Sequence, residues 1–184
     1  AGYIDAYKVE ILPEGVDPLD IRVNVVNWVN RATRGWSYGY AVTDPRTGEI
    51  LKGTVLLGSL RVRQDMLIFE GLVGADKVGT GGPNDPVNAA LARIRQLSAH
   101  EVGHALGLLH NFAGSTQDRA TVMDYPAPRV TLVNGAPDLS DAYDLYGKSK
   151  FLGEVGYAHT ITLRTSIIGH EIASAHGLIG WFME

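Results

Sequence analysis

Along this chain the spacing of hydrophobic and polar residues changes from period two to helical spacing and back, and each change marks an element. In residues 3–12, Tyr7, Val9 and Ile11 fall on one side and Lys8 and Glu10 on the other, which predicts a strand. Residues 13–18, with a proline at each end, predict a turn. Residues 21–25 alternate again, and from 26 to 33 the spacing is compatible with a helix. Residues 34–40 are rich in glycine and aromatics, as suits a loop packed on a core. Asp44-Pro45-Arg46-Thr47-Gly48 is a strong turn signal between two apolar stretches, so residues 38–42 and 49–57 are expected to form a hairpin.

Helical spacing takes over from there. Met66, Phe69 and Val73 predict a short amphipathic helix over residues 64–73. Residues 74–86 are a polar, glycine-rich connection. Its Asp76, Asn84 and Asp85 carry oxygens that calcium could use, but the spacing matches no cation loop and a plain flexible loop is preferred. Asp85 or Asn84 can cap the next helix with Pro86 at its first position. That helix spans residues 87–106, with Leu91, Ile94, Leu97, Val102, Ala105 and Leu106 available for core contacts and Gly103 small enough for close packing. Residues 126–137 read as loop with a short apolar piece at 130–133. Residues 140–151 read as a helix, with Ser140 as N-cap and Asp141 and Asp144 in its first turn.

Composition narrows the classes of function. At 184 residues and 45% hydrophobic content, the chain can bury a sizeable core as one domain in two lobes. The net charge is −4 with both signs spread along the chain, so there is no basic stripe and no nucleic-acid partner is expected. No apolar run approaches the roughly 20 residues needed to span a bilayer. The absence of cysteine excludes disulfides and thiolate ligands. Ala1 is not followed by a basic and then an apolar region, so an export signal was removed or was never there. Nothing in the sequence sets the oligomeric state.

The long helix carries the chemistry. His100 and His104 lie four residues apart, and four steps of about 100° bring the second ring almost back over the first, so both can reach one metal ion. Glu101 projects from the adjacent position, close enough to touch a water on that ion without binding it, which is where a general base belongs. At Gly107 the chain must leave the helix. Glycine takes positive φ without a Cβ penalty, and the turn lets His110 return as a third ligand. A lone His-Glu-x-x-His arises on many amphipathic helices without any metal. The glycine and third histidine at fixed offsets favour zinc over a coincidental polar face. Three neutral imidazoles leave zinc an open fourth position, as in catalytic rather than structural sites. Water bound there has its pKa lowered toward 7, and Glu101 is expected to take its proton and deliver it to the leaving amine.

The eleven residues His100-Glu101-Val102-Gly103-His104-Ala105-Leu106-Gly107-Leu108-Leu109-His110 resemble the signature of the metzincin clan of zinc endopeptidases. Val122-Met123-Asp124-Tyr125-Pro126 follows after a short loop. The resemblance implies that Met123 occupies a methionine turn beneath the metal, its thioether under the imidazoles and not bound to zinc. Alone, Met123 reads as an ordinary core methionine. In some metzincin branches a tyrosine two residues after that methionine binds zinc or stabilises the reaction intermediate. Tyr125 is therefore the candidate for a second oxyanion donor, the alternative being a tyrosine packed in the turn with its hydroxyl bonded elsewhere. The clan's edge strand pairs with extended substrate above the active-site helix, and residues 53–57 are the candidate for it, equally balanced against an interior strand without substrate contact. Asp124 and Asn111 are weaker candidates for orienting ligands.

A wider resemblance covers Asp17-Pro18-Leu19-Asp20-Ile21-Arg22, Trp28-Val29-Asn30-Arg31-Ala32-Thr33-Arg34-Gly35-Trp36-Ser37-Tyr38-Gly39, Thr43-Asp44-Pro45-Arg46-Thr47-Gly48-Glu49-Ile50 and Gly58-Ser59-Leu60-Arg61-Val62-Arg63-Gln64-Asp65. These phrases, with residues 100–115 and 123–128, are similar to a family of large bacterial zinc-dependent metalloproteases. The resemblance implies an exported protein, periplasmic or extracellular, and either an excised catalytic region or a compact relative. The residue after the third histidine is Asn111, which is not that of the best-known branches, so their substrate rules do not transfer.

Together these readings predict a metzincin-like zincin fold of α/β (α+β) class. A twisted, mostly antiparallel N-terminal sheet and an active-site helix form a lobe to about residue 107. A smaller lobe follows from about residue 108, with the methionine turn as its floor, and the single catalytic domain spans 1–184. The expected function is zinc-dependent hydrolysis of peptide bonds in a peptide or protein substrate. Two alternatives stay open: a catalytically silent, zinc-stabilised module that holds a peptide, against which Glu101 argues, and latency through a propeptide or the tail after Phe151. In that tail His170 and His176 lie six residues apart, about 240° round a helix, so they cannot share an ion and an ordinary terminal helix is expected. His159 has no partner at a useful spacing.

Overall fold

A computed structural model describes residues 8–33, 35–112, 121–125 and 127–143. In chain order these form β1 (Val25–Val29), β2 (Tyr38–Thr43), β3 (Ile50–Gly58), α1 (Leu60–Val73), a 3-10 turn (Ala75–Lys77), α2 (Pro86–Ala105), β4 (Thr131–Val133) and β5 (Ala136–Asp138). The mixed α/β class follows the sequence expectation. The hairpin of β2 and β3 does too. Its turn closes where the Asp44 carboxylate accepts from the Arg46 backbone N–H at 2.8 Å and the Asp44 carbonyl accepts from Gly48 N–H at 2.7 Å.

The sheet departs from expectation in its third strand. Its order is β1-β3-β2, with β2 antiparallel and β1 parallel to β3, so it is mixed rather than mostly antiparallel. Residues 26–33, expected as helix, instead supply most of β1. Val25, Val26 and Val29 are β-branched and lose χ1 freedom in a helix, while here their backbone pairs along β3 from Val25 opposite Thr54 to Val29 opposite Gly58. As a result β3 is interior, and residues 53–57 are not a substrate-facing edge. Of the strand expected over residues 3–12, positions 3–7 lie outside the described residues and 8–12 are in no strand. The N-terminal segment is instead tied to β3 by the Lys52 ammonium, which donates to the carbonyls of Asp20 and Val23 at 2.9 and 2.6 Å, and by Asn24 Oδ1, which accepts from Gly53 N–H at 2.8 Å.

Helix α1 starts at Leu60, before the expected residue 64. Its cap residue Ser59 does not cap it, because the hydroxyl accepts from Arg31 N–H instead. Helix α2 follows the sequence closely. Asp85 accepts from Val87 N–H with Pro86 in the first turn, and also from Gly79 and Gly81 N–H at 3.0 and 2.7 Å. The loop amides, Gly81 first, hold this carboxyl below its ordinary pKa against the opposing effect of burial. The carboxylate of Asp85 is thus engaged by the loop's own amides.

Helix α2 is packed on three sides. Ile94, Leu97, Val102 and Ala105 face Val55 and Leu57 of β3. Ala89 and Ala92 meet Phe69 of α1 with Leu139, Ala142 and Tyr143. Ala99 meets Leu108, Val122 and Met123. Alanines on all three faces let the neighbours approach closely. Burying the Phe69 side chain contributes about 1.5–3 kcal/mol, and its edge-on contact with Tyr143 at 5.8 Å adds roughly 0.5–1.5 kcal/mol.

Residues 126–137, expected as loop, contain all of the β4–β5 hairpin but its last residue, Asp138. Its turn is Asn134-Gly135, with φ of 53° and 79°, the left-handed pair that a two-residue type I′ turn requires. Residues 140–143 are turn rather than the start of a helix. The rest of that expected helix, and the tail with His159, His170 and His176, lie outside the described residues. Among the described residues no helix is long and apolar enough to cross a membrane.

Candidate active site

Helix α2 ends in a turn that aims the third histidine. Gly107 adopts φ of 88°, Leu108 N–H donates to the Gly103 carbonyl and Gly107 N–H to the His104 carbonyl, both at 2.9 Å. This is a Schellman closure, and it reverses the chain beside the helix. The Nε2 atoms of His100, His104 and His110 then converge, at 3.1 Å between His100 and His104, 3.2 Å between His104 and His110 and 3.3 Å between His110 and His100.

The second nitrogens of the helix-borne rings decide what sits between them. His100 Nδ1 lies 2.6 Å from the Val122 carbonyl and His104 Nδ1 2.7 Å from the Leu108 carbonyl. A carbonyl only accepts, so Nδ1 carries the proton and Nε2 presents its lone pair inward. Lone pairs this close repel one another unless a cation lies between them. Tetrahedral zinc with Zn–N of about 2.0–2.1 Å sets its nitrogens about 3.3 Å apart, which the observed separations match. The three histidines therefore fit zinc. Burial disfavours protonation of His100: it lowers the pKa of this ring to about 4 against the pull of the Val122 carbonyl. Burial also lowers that of His110, reinforced by His104 and opposed by Asp124.

Glu101 is buried and lines the same cleft. Burial raises its pKa, while the electrostatic influence of His104 and the Gly39 N–H, which donates to the carboxylate, pull the other way. Gly39 was not singled out by sequence reasoning. The signal was a glycine between Tyr38 and Tyr40 inside a strand, which marks close approach of another backbone. A Cβ on Gly39 would overlap the Glu101 carbonyl oxygen. Gly39→Ala is therefore expected to push β2 off α2, at the upper end of the roughly 1–3 kcal/mol typical of overpacking or beyond it. Thermal unfolding followed by circular dichroism checks this, and a melting temperature equal to the parent's would refute the contact.

Met123 is fully buried. Its carbonyl accepts from Asn111 N–H at 2.8 Å, and its neighbour Val122 holds His100, so the segment is strapped to the metal ligands from two directions. A Cβ on Gly103 would overlap the Met123 sulfur and come within 3.2 Å of its methyl. With the thioether enclosed on all sides, Gly103→Ala is expected to cost about 1–3 kcal/mol and to weaken zinc retention in a chelator competition. Retention like the parent's would mean that the methionine moves aside freely.

Tyr125 stands at the mouth of the site. It is 65% exposed, with its hydroxyl 2.8 Å from His110 Nε2. Asp124 accepts from Tyr125 N–H at 2.7 Å and acts electrostatically on His110. Asn111 is buried, bonded through its backbone to Met123, and its side-chain Nδ2 has no partner among the described residues.

The three histidines, Glu101, Asp124 and Tyr125 open on one cleft of about 670 Å³. Its wall also includes the segment from Trp36 to Gly39 and three residues that sequence reasoning passed over, Arg61, Arg93 and Gln96. Nothing local distinguishes those three from solvated helix polar residues. No curated protein and no solved structure matches the chain. Residues 82–148 match a protein-family model described as Met-zincin. The match spans α2, the three converging histidines and the segment with Met123 and Tyr125, so the stretch that builds this site is similar to the Met-zincins.

Proposed function

We propose that the chain is a zinc-dependent endopeptidase. One observation carries this reading: three histidine Nε2 atoms converge at 3.1–3.3 Å beside a buried glutamate on the wall of an open cleft. Zinc held by His100, His104 and His110 supplies a charge that lowers the pKa of a water toward 7 and polarises a carbonyl. Glu101, oriented by Gly39 N–H, accepts the proton of the attacking water and passes it to the leaving amine. A carboxyl whose proton affinity is raised by burial suits this two-way transfer. Met123 serves as the methionine turn that fixes the floor of the site. The edge role expected of residues 53–57 falls to β2, whose N-terminal end lines the cleft and which is an edge among the described strands, so an extended peptide can pair along it.

Tyr125 donates its hydroxyl to the developing oxyanion. Its position beside His110 and its exposure, which leaves it room to swing, support this role. Tyr125→Phe is expected to lower turnover by about 10²- to 10³-fold at unchanged zinc content. Unchanged turnover would assign the hydroxyl no part in the reaction.

The reading is tested by metal analysis paired with cleavage of a random peptide library. One zinc per chain, with cleavage abolished by chelation and restored by zinc, supports it. Stoichiometric zinc with no peptide cleaved would favour a silent or latent peptide-binding module instead.

A further inference from the structure

From Glu101 the wall of the cleft continues along α2 to Gln96 and Arg93. Gln96 lies one turn and Arg93 two turns before His100, about 6 and 10.5 Å along the helix axis. That is within reach of a side chain on a residue next to a bond held at the histidines. Gln96 is 2% exposed, and its Nε2 is buried without a partner among the described residues. Its Oε1 is committed, accepting from Arg93 Nη1 at 2.6 Å. The guanidinium of Arg93 lies 5.7 Å over the ring of Tyr143.

The charges here do not balance locally. Asp65, fully buried, pairs with Arg61 through both oxygens, at 3.1 and 3.2 Å. Among the described residues no carboxylate forms an ion pair with Arg93. Arg93 is held below the ordinary guanidinium range by burial first and the repulsion of Arg61 second, with Tyr143, Asp65 and Glu101 opposing. Guanidinium remains charged all the same. The recess thus offers a cation and an orphaned amide donor, with the one amide acceptor already used. A buried donor without an acceptor is unfavourable, so the group that fits is an anion with two acceptor oxygens in a plane, which is what a guanidinium fork matches. A neutral amide satisfies the hydrogen bonds without the charge, and an ammonium is repelled.

We propose that this recess is the specificity pocket of the peptidase and takes an acidic side chain, aspartate or glutamate, from a residue beside the scissile bond, with Arg93 and Gln96 as the specificity-determining residues. The proposal rests on the endopeptidase reading, and the test separates the two. Binding is measured on the zinc-loaded full chain in a Glu101→Gln background, by the fluorescence of Trp36 in the cleft. The probes are capped hexaalanine peptides with a single central Glu, Gln or Lys. The Glu peptide is expected to bind at least tenfold more tightly than the Gln peptide, with the Lys peptide weakest and the differences shrinking as salt rises. Adding Arg93→Gln is expected to bring the Glu-to-Gln ratio below about threefold, while Arg93→Lys keeps part of it. Gln96→Glu, which pairs Arg93 internally, is expected to remove the preference for Glu over Gln, and it decides the matter alone if Arg93→Gln does not fold. Equal binding of the three peptides, binding of none, or a preference that survives Arg93→Gln overturns the pocket. Failure of the unsubstituted chain to cleave any member of a random library counts against the peptidase reading alone and leaves the binding comparison standing.

Discussion

Glu101→Gln is expected to lower kcat/KM for peptide cleavage by about 10²- to 10⁴-fold, the range for loss of a positioned proton-transfer group, with zinc content and melting temperature near the parent's. The substitution keeps the shape of a side chain that is 5% exposed, so it opens no cavity. It also leaves an oxygen that can accept from Gly39 N–H, the bond that holds β2 against α2 at this point. What disappears is the ability to take a proton, and the kinetic loss reports that step alone. Glu101→Ala would mix three effects: a lost base, a void and an unsatisfied strand amide. Kinetic assays on samples of matched zinc content provide the check. A fall of less than about threefold would remove Glu101 as the base and leave only its contact with the strand.

How legible the site was in the sequence depends on the range of each contact. His100, His104 and Glu101 share one helix, and His110 follows a glycine whose positive φ is a local property, so spacing alone placed three candidate ligands and a candidate base together. Placing Tyr125 at His110 needed the family resemblance, since fifteen residues separate them and no periodicity links the two. The misreadings fall where pairing is non-local or a local signal was overlooked. Residues 26–33 carry valines that tolerate either period, and only the parallel partner β3 settles them as strand. Once β1 takes that side, residues 53–57 become interior. Asn134-Gly135 is different: it is the strongest short hairpin signal there is, and only its setting among the turn-rich residues of 126–137 makes the stretch read as loop. Arg93 and Gln96 carry no mark in the sequence, because their charge imbalance exists only where α1, with its Asp65 already paired to Arg61, packs against α2.

Removing zinc is expected to leave a chain whose stability falls steeply on acidification from about pH 6.5 to 4. The ordinary histidine pKa of 6.5 is lowered to about 4 at His100 by burial. Between those values the unfolded chain binds a proton at this ring and the folded chain does not, so unfolding takes up protons and stability rises with pH across the window. A shift of that size corresponds to at most about 3 kcal/mol from this ring. His110, also lowered, contributes with the same sign. Glu101 and Asp65 have raised values and act oppositely, losing stability as pH rises above the ordinary carboxylate range, which blunts the lower end of the slope. Zinc changes the balance because it binds only the deprotonated rings of the folded state. At a free concentration a thousand times its Kd it adds about 4 kcal/mol at neutral pH, and this is lost as the ligands protonate. Melting temperatures between pH 4 and 7.5 should therefore show the metal-loaded protein well above the stripped one at pH 7 and converging on it toward pH 4. In the stripped protein, His100→Gln should flatten much of the slope. A stripped protein whose melting temperature does not change across the window would mean that His100 charges freely in the folded state, and that its ring is not enclosed against Val122.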